Sequence, residues 1–364
     1  MLYPIVMAGG AGTRFWPLSR SAKPKQLLAI VGEEALLRQT WRRLASIPGA
    51  GQVRIATRAD LVAPIAECVP ELGATACIVE PEPRDTAPCV ALASAHILAT
   101  AGEEAEMAFL PADQWIEPAE RLQAALQLAA NNAKERQRLV TLGIKPTRPE
   151  TGFGYIHSEA PFEQSDGFPI AQVASFVEKP DEAKARKFVE DPAFLWNSGI
   201  FVWQLKTLLR ELEEHAPEFA AGVRDMAEAI REKDPEACDA RFRQLPKISL
   251  DYALFEKTDQ VDVVHVDFTW DDVGGFASVA SYVDADQEGN RLRSRGCSKV
   301  TLEGSRNNLV LSEGEDARLL ALVGCEDLVV VDTKDATLIC PKAKLGELKK
   351  LVTDLGTRGL DEWS

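Results

Sequence analysis

The sequence predicts an α/β fold with a mostly parallel sheet, followed by a smaller β domain. Between residues 3 and 144, short apolar runs of strand length alternate with longer segments whose apolar residues have helical spacing. From residue 299 onward, short β runs are instead separated by Gly, Asn and Asp turns. Alternating strands and helices are typical of a parallel sheet covered on both faces. Evenly spaced short strands are typical of an all-β domain.

In the first part of the chain, the predicted strands are residues 3–7, 53–57, 76–79, 107–110 and 139–144. The predicted helices are residues 35–47, 61–72, 86–100 and 119–132. Rossmann-like sheets of this kind bind their ligands outside the carboxyl ends of the strands. We therefore expect the glycine-rich turn after the first strand, Glu80 and Asp113 to lie on one rim.

The pattern becomes less regular after residue 151. The predicted strands there are residues 171–178, 199–203 and 261–266, and the predicted helices are residues 181–189, 205–230 with a break near Pro217, and 248–255. A polar stretch at residues 284–295 predicts the domain boundary, with a catalytic domain at 1–284 and a small C-terminal domain at 285–364.

The C-terminal domain has short β runs and one closing helix. The runs are residues 299–302, 308–311, 319–323, 328–331 and 337–340, and the helix is residues 343–355. This spacing is β-helix-like, although the internal repeat is faint. We expect the domain to serve in packing or as a dimer contact.

The bulk composition excludes several classes of partner. A formal net charge of -15 over 364 residues is incompatible with the broad basic surface that nucleic-acid binding needs. No apolar run is long enough to span a membrane, and no basic leader precedes an apolar core. The seven cysteines are dispersed and show no CxxC spacing, which predicts free thiols and a cytoplasmic protein.

A glycine-rich loop follows the first predicted strand. Gly9, Gly10 and Gly12 permit positive φ angles and let backbone N–H groups approach an anion closely. No acidic residue precedes Glu33, whereas the same segment carries four cations: Arg14, Arg20, Lys23 and Lys25. The local charge is thus opposite in sign to that of the whole chain, and a phosphate site is predicted.

This loop matches neither of the two best-known glycine motifs. A dinucleotide fingerprint needs a further Gly or Ala where Phe15 stands, and a P-loop needs Gly-Lys followed by Ser or Thr. The full pattern is Gly-Gly-x-Gly-Thr-Arg-Phe-x-Pro-Leu-Ser at residues 9–19, then Lys-Pro-Lys-Gln at 23–26. It resembles the signature of the sugar-nucleotide pyrophosphorylases, and most closely that of the mannose-1-phosphate guanylyltransferases.

The resemblance implies transfer of GMP from GTP to α-D-mannose 1-phosphate, with Mg²⁺ as cofactor and a homodimeric enzyme. It places catalytic roles on Arg14, Lys25 and Lys179. The nucleotide-binding residues that it implies are Ala8, Gly9, Gly10, Gly12, Thr13, Glu80, Thr86 and Asp113. The implied sugar ligands are Gly154, Glu178, Asn197 and Asp251, and the implied metal ligands are Asp113 and Asp272.

The residues themselves allow alternative interpretations at several of these positions. Asp113 and Asp272 each follow an apolar strand and suit magnesium, which takes one or two carboxylates, but Asp also favours helix caps and turns. The Glu178-Lys179 pair before a proline is otherwise typical of a solvated strand end. A carboxylate at Glu80 can accept hydrogen bonds from N1–H and the amino group of guanine together, which favours GTP.

Two other functions remain open at this stage. One is a pyrophosphorylase for another sugar or base, such as a glucose-1-phosphate thymidylyltransferase, and the other is a non-catalytic sugar-nucleotide sensor. The chain also departs from the family pattern at Asp85, where Asn is usual. Asp85 lacks the side-chain NH₂ group of Asn, so it cannot donate an amide hydrogen bond to the base or ribose at that position.

Overall fold

The computed structural model describes residues 1–10, 12–73, 75–161, 163–165, 167–314 and 318–363. The chain divides by contacts into two compact units. The sheet unit is Met1–Gly9, Thr40–Ala112 and Ile116–Trp270, and the β-helix unit is Gly10–Gln39, Asp113–Trp115 and Asp271–Ser364. This division does not follow sequence order, so the predicted boundary between residues 284 and 285 stays a prediction.

Strands β1 to β12 lie mainly in the sheet unit. They are β1 Leu2–Met7, β2 Arg54–Arg58, β3 Cys77–Glu80, β4 Glu106–Pro111, β5 Trp115–Glu117, β6 Leu139–Ile144, β7 Tyr155–Ser158, β8 Glu163–Ser165, β9 Phe168–Val177, β10 Phe194–Gln204, β11 Val261–Val266 and β12 Thr269–Asp271. The main sheet has the order β3-β2-β1-β4-β10-β6-β11-β9-β7, with β8 on β9. Strands β5 and β12 form a separate pair.

The α/β class is confirmed, and the sheet is parallel over β3-β2-β1-β4 and between β6 and β11. It is mixed elsewhere, because β10 runs antiparallel to both β4 and β6 and β9 runs antiparallel to β11 and β7. Parallel neighbours need a crossover of about a dozen residues or more. Strands β7, β8 and β9 follow one another at intervals of a few residues, which are too short for such a crossover, and β9 pairs antiparallel with both β7 and β8.

The helices are α1 Leu36–Ala45, α2 Val62–Cys68, α3 Thr86–Ala101, α4 Ala119–Arg136, α5 Glu182–Glu190, α6 Leu205–His215, α7 Pro217–Glu232, α8 Pro235–Gln244, α9 Phe276–Ala280 and α10 Leu348–Thr357. Helix α3 is apolar on nearly all sides and is buried in the core of the sheet unit. Because α3 begins at Thr86, it anchors the loop that follows Glu80. Within the described residues, no helix combines the length and the apolar character that crossing a bilayer requires.

Six further strands belong to the β-helix unit: β13 Arg291–Ser294, β14 Lys299–Glu303, β15 Leu309–Ser312, β16 Leu319–Val323, β17 Leu328–Asp332 and β18 Thr337–Pro341. Strands β13, β15 and β17 stack in parallel, as do β14 and β16. Strand β18 pairs antiparallel with β17. The core of this unit joins Phe15 and Ile30 to Leu309 and Val331, so the segment after the glycine loop is part of the same hydrophobic cluster.

Most predicted elements are present, with differences at their ends. Strand β10 begins at Phe194 and not at residue 199, because a bulge allows pairing to continue past Gly199. The predicted helix 248–255 is a short turn of π type at Asp251–Phe255. The closing helix is a 3₁₀ turn at Lys342–Glu347 followed by α10. The predicted break near Pro217 separates α6 from α7, because proline is favoured in a first helical turn.

A buried ion network ties α4 to the sheet. The carboxylate of Asp262 on β11 is fully buried, and its oxygens lie 2.8 Å from Arg136 Nε and 2.8 Å from Arg138 Nε. Asn132 Nδ2 donates to it over 2.9 Å. Removing one partner of a buried ion pair leaves the other charge uncompensated, which is strongly destabilising.

We therefore expect Asp262→Asn to lower the free energy of unfolding by about 3 kcal/mol, measured by urea denaturation. The matched control is Asp267→Asn, which breaks an exposed pair with Arg121 and should cost at most about 1 kcal/mol. Equal losses in the two variants would show that the buried network contributes no more than a surface pair.

Candidate active site

The glycine loop is tightly packed at Gly12. This residue has φ +62°, and a Cβ added to it would lie 2.5 Å from the backbone nitrogen of Lys25. Only glycine fits such a position. The Ser19 hydroxyl donates to the Gly12 carbonyl over 2.7 Å. The loop is thus folded against the segment that carries Lys25, while Ala11, which belongs to the same motif, lies outside the described residues.

Lys25 is a buried cation with two oxygen partners. Its Nζ lies 2.8 Å from Asp113 Oδ2 and also donates to the backbone carbonyl of Asp272. A buried ammonium is costly unless it is paired and hydrogen-bonded, and these contacts supply that pairing. The contacts bring together three residues that sequence analysis selected from distant positions.

Asp272 is held in an unusual backbone turn. The next residue, Val273, is buried and has φ +48°, which is rare for a β-branched residue. A Cβ on Gly274 would lie 3.0 Å from Asp272 Oδ1, so glycine leaves room for the carboxylate. Burial raises the pKa of Asp272, as does the neighbouring Asp113 charge, whereas Lys25 and Arg14 lower it. The two carboxylates and the two cations therefore form one electrostatic cluster.

The remaining loop residues have different surroundings. Thr13 and Arg14 form a 3₁₀ turn with Phe15, and the Arg14 side chain is exposed. The Ala8 N–H already donates to the Ala56 carbonyl over 2.8 Å, and the Ala8 carbonyl accepts from Thr57. The Ala8 amide is thus committed to the protein backbone. In contrast, a Cβ on Gly10 would meet no atom within 4 Å.

Glu80 ends β3 and is buried, with 9% of its surface exposed. A Cβ added to Gly9 would lie 3.7 Å from Glu80 Oε2, so the carboxylate lies beside the start of the glycine loop. Burial raises the pKa of Glu80, and a hydrogen bond with the Cys89 thiol lowers it. The thiol therefore partly offsets the effect of burial and stabilises the ionised carboxylate.

Asp85 caps helix α3. It has φ +72°, and its Oδ1 accepts from the Thr86 N–H over 2.8 Å. Asn can provide the same cap acceptor and also tolerates positive φ, so the departure from the family's Asn is compatible with this local structure. The Thr86 hydroxyl accepts from the Leu250 N–H over 2.8 Å. Thr86 thereby ties the start of α3 to the turn that carries Asp251.

The four predicted sugar ligands and Lys179 form a second cluster, which lies within the sheet unit. A Cβ on Gly154 would lie 2.6 Å from Glu178 Oε2, so only glycine can stand there without displacing the carboxylate. Lys179 Nζ donates to Glu178 Oε1 over 2.5 Å. Asn197 Nδ2 donates to Asp251 Oδ1 over 3.1 Å, and the Asn197 N–H donates to the Gly154 carbonyl over 2.8 Å.

A β-bulge directs Asn197 into this cluster. The register of β10 against β6 shifts between Asn197 and Phe201. Gly199, inside the shift, has φ +71°, and its N–H donates to Asn197 Oδ1 over 3.0 Å. Bulges are common next to active sites, where they redirect a side chain. The amide of Asn197 is consequently oriented from both of its ends.

The second cluster has two carboxylates that affect one another. The pKa of Asp251 is raised to about 6, mainly by burial and also by the nearby charges of Glu178 and Asp85, whereas the Lys179 charge acts to lower it. Lys179 has φ +47°, which is uncommon for a non-glycine residue. Strained backbone of this kind is frequent at ligand sites.

An aromatic cluster that was not predicted from the sequence lies beside these residues. Phe153 makes edge contacts with Trp196 and Trp270, with both ring-centroid distances at 5.3 Å. The Arg148 guanidinium lies 5.3 Å from the Trp196 ring centroid. The three aromatic residues directly precede Gly154, Asn197 and Asp271 in sequence. This adjacency was the available signal, but it does not reveal that the three rings pack together.

The chain matches two family models. The description "Nucleotidyl transferase" applies to residues 3–289, and "MannoseP isomerase/GMP-like beta-helix domain" applies to residues 299–355. The second match agrees with the stacked parallel strands of the β-helix unit. Together the two matches account for most of the chain.

Similar proteins agree with these families. The alginate biosynthesis protein AlgA of Pseudomonas aeruginosa is 37% identical, over 99% of this chain and 73% of that protein. A mannose-1-phosphate guanylyltransferase of Sinorhizobium fredii is 36% identical, over 99% and 70% respectively. A crystal structure described as mannose-1-phosphate geranyltransferase from Thermus thermophilus superposes with a TM-score of 0.83 at 31% identity, covering 98% of this chain and 99% of that one.

The motif, the fold and the matches over nearly the full chain lead to one assignment: the chain belongs to the nucleotidyl transferase family and carries the β-helix domain of its mannose-1-phosphate guanylyltransferase-like members.

Proposed function

We propose that this protein transfers GMP from GTP to α-D-mannose 1-phosphate, giving GDP-mannose and diphosphate. The observation that carries the proposal is the pairing of buried Lys25 with Asp113 and with the backbone of Asp272, beside the glycine loop. The names of the relatives, which include a mannose-1-phosphate guanylyltransferase, support the choice of substrates. A cytoplasmic homodimer is part of the proposal, and the free cysteines are compatible with that location.

The phosphate-binding roles follow from charge. Backbone N–H groups of Gly10, Gly12 and Thr13, with Arg14, would hold the part of the triphosphate that leaves as diphosphate. Lys25 would contact the α-phosphate. These donors neutralise charge that develops on oxygen as the bond between the α-phosphorus and its leaving oxygen breaks.

Asp113 and Asp272 fit a magnesium ion. Both are hard oxygen donors, and the Asp113 charge lies close enough to Asp272 to raise the pKa of Asp272. Magnesium usually takes one or two carboxylates and completes its shell with phosphate oxygens and water. The described part of the chain holds no cluster of three or more His, Cys, Asp or Glu suited to a metal, which fits an ion shared with substrate. When bound, the ion would neutralise phosphate charge.

The sugar phosphate supplies the nucleophile. Its second pKa is about 6, so one phosphate oxygen is already ionised near neutral pH and needs no general base. That oxygen attacks the α-phosphorus of GTP. The bond between the α-phosphorus and the oxygen that bridges it to the β-phosphorus breaks, and diphosphate leaves with that oxygen. Lys179 would steer the incoming phosphate as a point charge, and alignment of the two reactants would account for much of the rate.

Substrate selection rests on the sheet unit. Glu178, Asn197 and Asp251 would bind sugar hydroxyls beside the backbone of Gly154. Glu80, in its ionised form, would accept hydrogen bonds from guanine N1–H and from the exocyclic amino group. The Cys89 thiol supports this role because it stabilises the ionised form.

Two alternatives make different predictions. A pyrophosphorylase for another sugar or base would keep the Lys25 cluster and turn over a different substrate pair. A non-catalytic sensor would bind the sugar nucleotide without releasing diphosphate. The presence of Arg14, Lys25, Asp113 and Asp272 together weighs against the sensor.

The test is diphosphate release with Mg²⁺ across GTP, dTTP, ATP and UTP, each combined with mannose, glucose and N-acetylglucosamine 1-phosphates. We expect one strong response, for GTP with mannose 1-phosphate.

We also expect Glu80→Gln to lose part of its preference for GTP over dTTP, because an amide cannot accept from both guanine donors. Strong turnover of another pair would contradict the proposed specificity, and binding of GDP-mannose without any turnover would favour the sensor.

The glycines of the 152–154 turn offer a matched pair of variants. Gly154→Ala should raise KM for the sugar phosphate by about tenfold or more, because the added Cβ would lie 2.6 Å from Glu178 Oε2 and displace it. Gly152→Ala meets only the far end of the Glu150 side chain, at 3.3 Å, and should change KM little. Similar KM values for both variants would remove Glu178 from the proposed sugar site.

A further inference from the structure

Asp271 is the neighbour of Asp272 but has a different environment. Its Oδ1 accepts from the Val273 N–H over 2.7 Å. Its Oδ2 accepts from the Ser278 hydroxyl over 2.7 Å and from the Tyr282 hydroxyl over 2.9 Å. Both carboxylate oxygens of Asp271 are therefore engaged by the protein, whereas Asp272 contacts Lys25 through its backbone carbonyl.

These hydrogen bonds act on the turn that presents Asp272. The hydrogen bond from the Val273 N–H to Asp271 Oδ1 closes the turn. Val273 is the buried residue with φ +48°. Asp favours turns because its side chain accepts from the amide two residues later. The bond to Val273 stabilises a backbone conformation that valine disfavours, and this conformation sets the direction of the Asp272 carboxylate.

Tyr282 connects this turn to the segment of the other candidate metal ligand. Its ring makes an edge contact with Trp115, at a ring-centroid distance of 5.9 Å, and Trp115 lies two residues after Asp113. The hydroxyl of the same tyrosine donates to Asp271, one residue before Asp272. The Tyr282 ring thus contacts the segment that carries Asp113, and its hydroxyl contacts the segment that carries Asp272.

We propose that Tyr282 and Asp271 are positioning residues that hold the carboxylates of Asp113 and Asp272 at the separation a shared divalent cation needs. This inference rests on the proposed function, because it takes the two aspartates as ligands of a metal–nucleotide complex. Groups that orient metal ligands without touching the metal typically change affinity by about 10- to 100-fold when they are removed.

The test is the binding of Mn²⁺ in the presence of GTP and in the absence of sugar phosphate. Binding is measured from the relaxation rate of water protons. Mn²⁺ accepts the same oxygen ligands as Mg²⁺, and without sugar phosphate no transfer takes place. We expect Tyr282→Phe to weaken Mn²⁺ binding in the presence of GTP by about tenfold. The phenylalanine keeps the ring contact with Trp115 and loses only the hydroxyl.

A series at Asp271 separates positioning from general stability. Asp271→Ala should weaken Mn²⁺ binding at least as much as Tyr282→Phe. Asp271→Asn should retain most of the binding, because its amide oxygen can still accept from Val273 and the two hydroxyls can accept from its NH₂ group. Tyr3→Phe, a conservative change on β1 in the sheet unit, is the control and should bind Mn²⁺ like the wild type.

Thermal unfolding of the same samples distinguishes the outcomes. If Tyr282→Phe and Asp271→Ala lower the melting temperature but bind Mn²⁺ with wild-type affinity in the presence of GTP, the two residues are structural only and the inference is wrong. If the wild type itself shows no GTP-dependent Mn²⁺ binding, the proposed function fails, and this inference fails with it. Weakened Mn²⁺ binding in folded Tyr282→Phe, with wild-type affinity in Tyr3→Phe, supports the inference.

Discussion

The candidate phosphate site depends on the contacts of the Lys25 ammonium group. It is buried, and it contacts the Asp113 carboxylate and the Asp272 carbonyl. An unpaired buried charge would cost several kcal/mol, so the segments carrying the two aspartates must remain close to it. The close packing of Gly12 against Lys25 extends the same constraint to the glycine loop. The glycine loop, for which we propose phosphate binding, and two acidic residues are thereby organised around one cation.

The candidate sugar site is organised by backbone features. A bulge orients Asn197, and an absent side chain at Gly154 leaves room for Glu178. Positive φ angles occur at Asp85, Lys179 and Val273, each next to a residue to which the family resemblance gives a binding role. Strain of this kind costs about 1–3 kcal/mol per residue and persists only when the surroundings enforce it. Here the accompanying contacts are a helix cap at Asp85, an ion pair between Lys179 and Glu178, and the hydrogen bond from the Val273 N–H to Asp271.

Much of this architecture could be predicted from sequence because its signals are local. The strands at Leu139–Ile144, Val261–Val266 and Leu319–Val323 have the predicted bounds, since each is a short run rich in apolar residues between polar residues or glycine. The helix break before Pro217 follows from proline chemistry alone. The candidate site residues come from motifs and stay a prediction, although contacts within each unit group most of them as the motifs imply.

The unpredicted features depend on contacts between distant residues. The antiparallel direction of β10 depends on its pairing with β4 and β6, and not on its own composition. No sequence pattern indicates that Phe15 and Ile30 share a core with Leu309. The different environments of Asp271 and Asp272 could not be predicted either, because they depend on where Ser278 and Tyr282 lie. The same limit explains why the aromatic cluster around Trp196 was missed.

The central claim is that Lys25 acts on the reacting phosphate, and its most direct test is the rate of diphosphate release by Lys25→Met at saturating GTP, mannose 1-phosphate and Mg²⁺. The control is Lys23→Met, which removes an exposed cation from the same segment. Our account predicts a loss of about 100-fold or more for Lys25→Met, with a folded protein and a nearly unchanged rate for Lys23→Met. A Lys25→Met rate close to that of the wild type would contradict it.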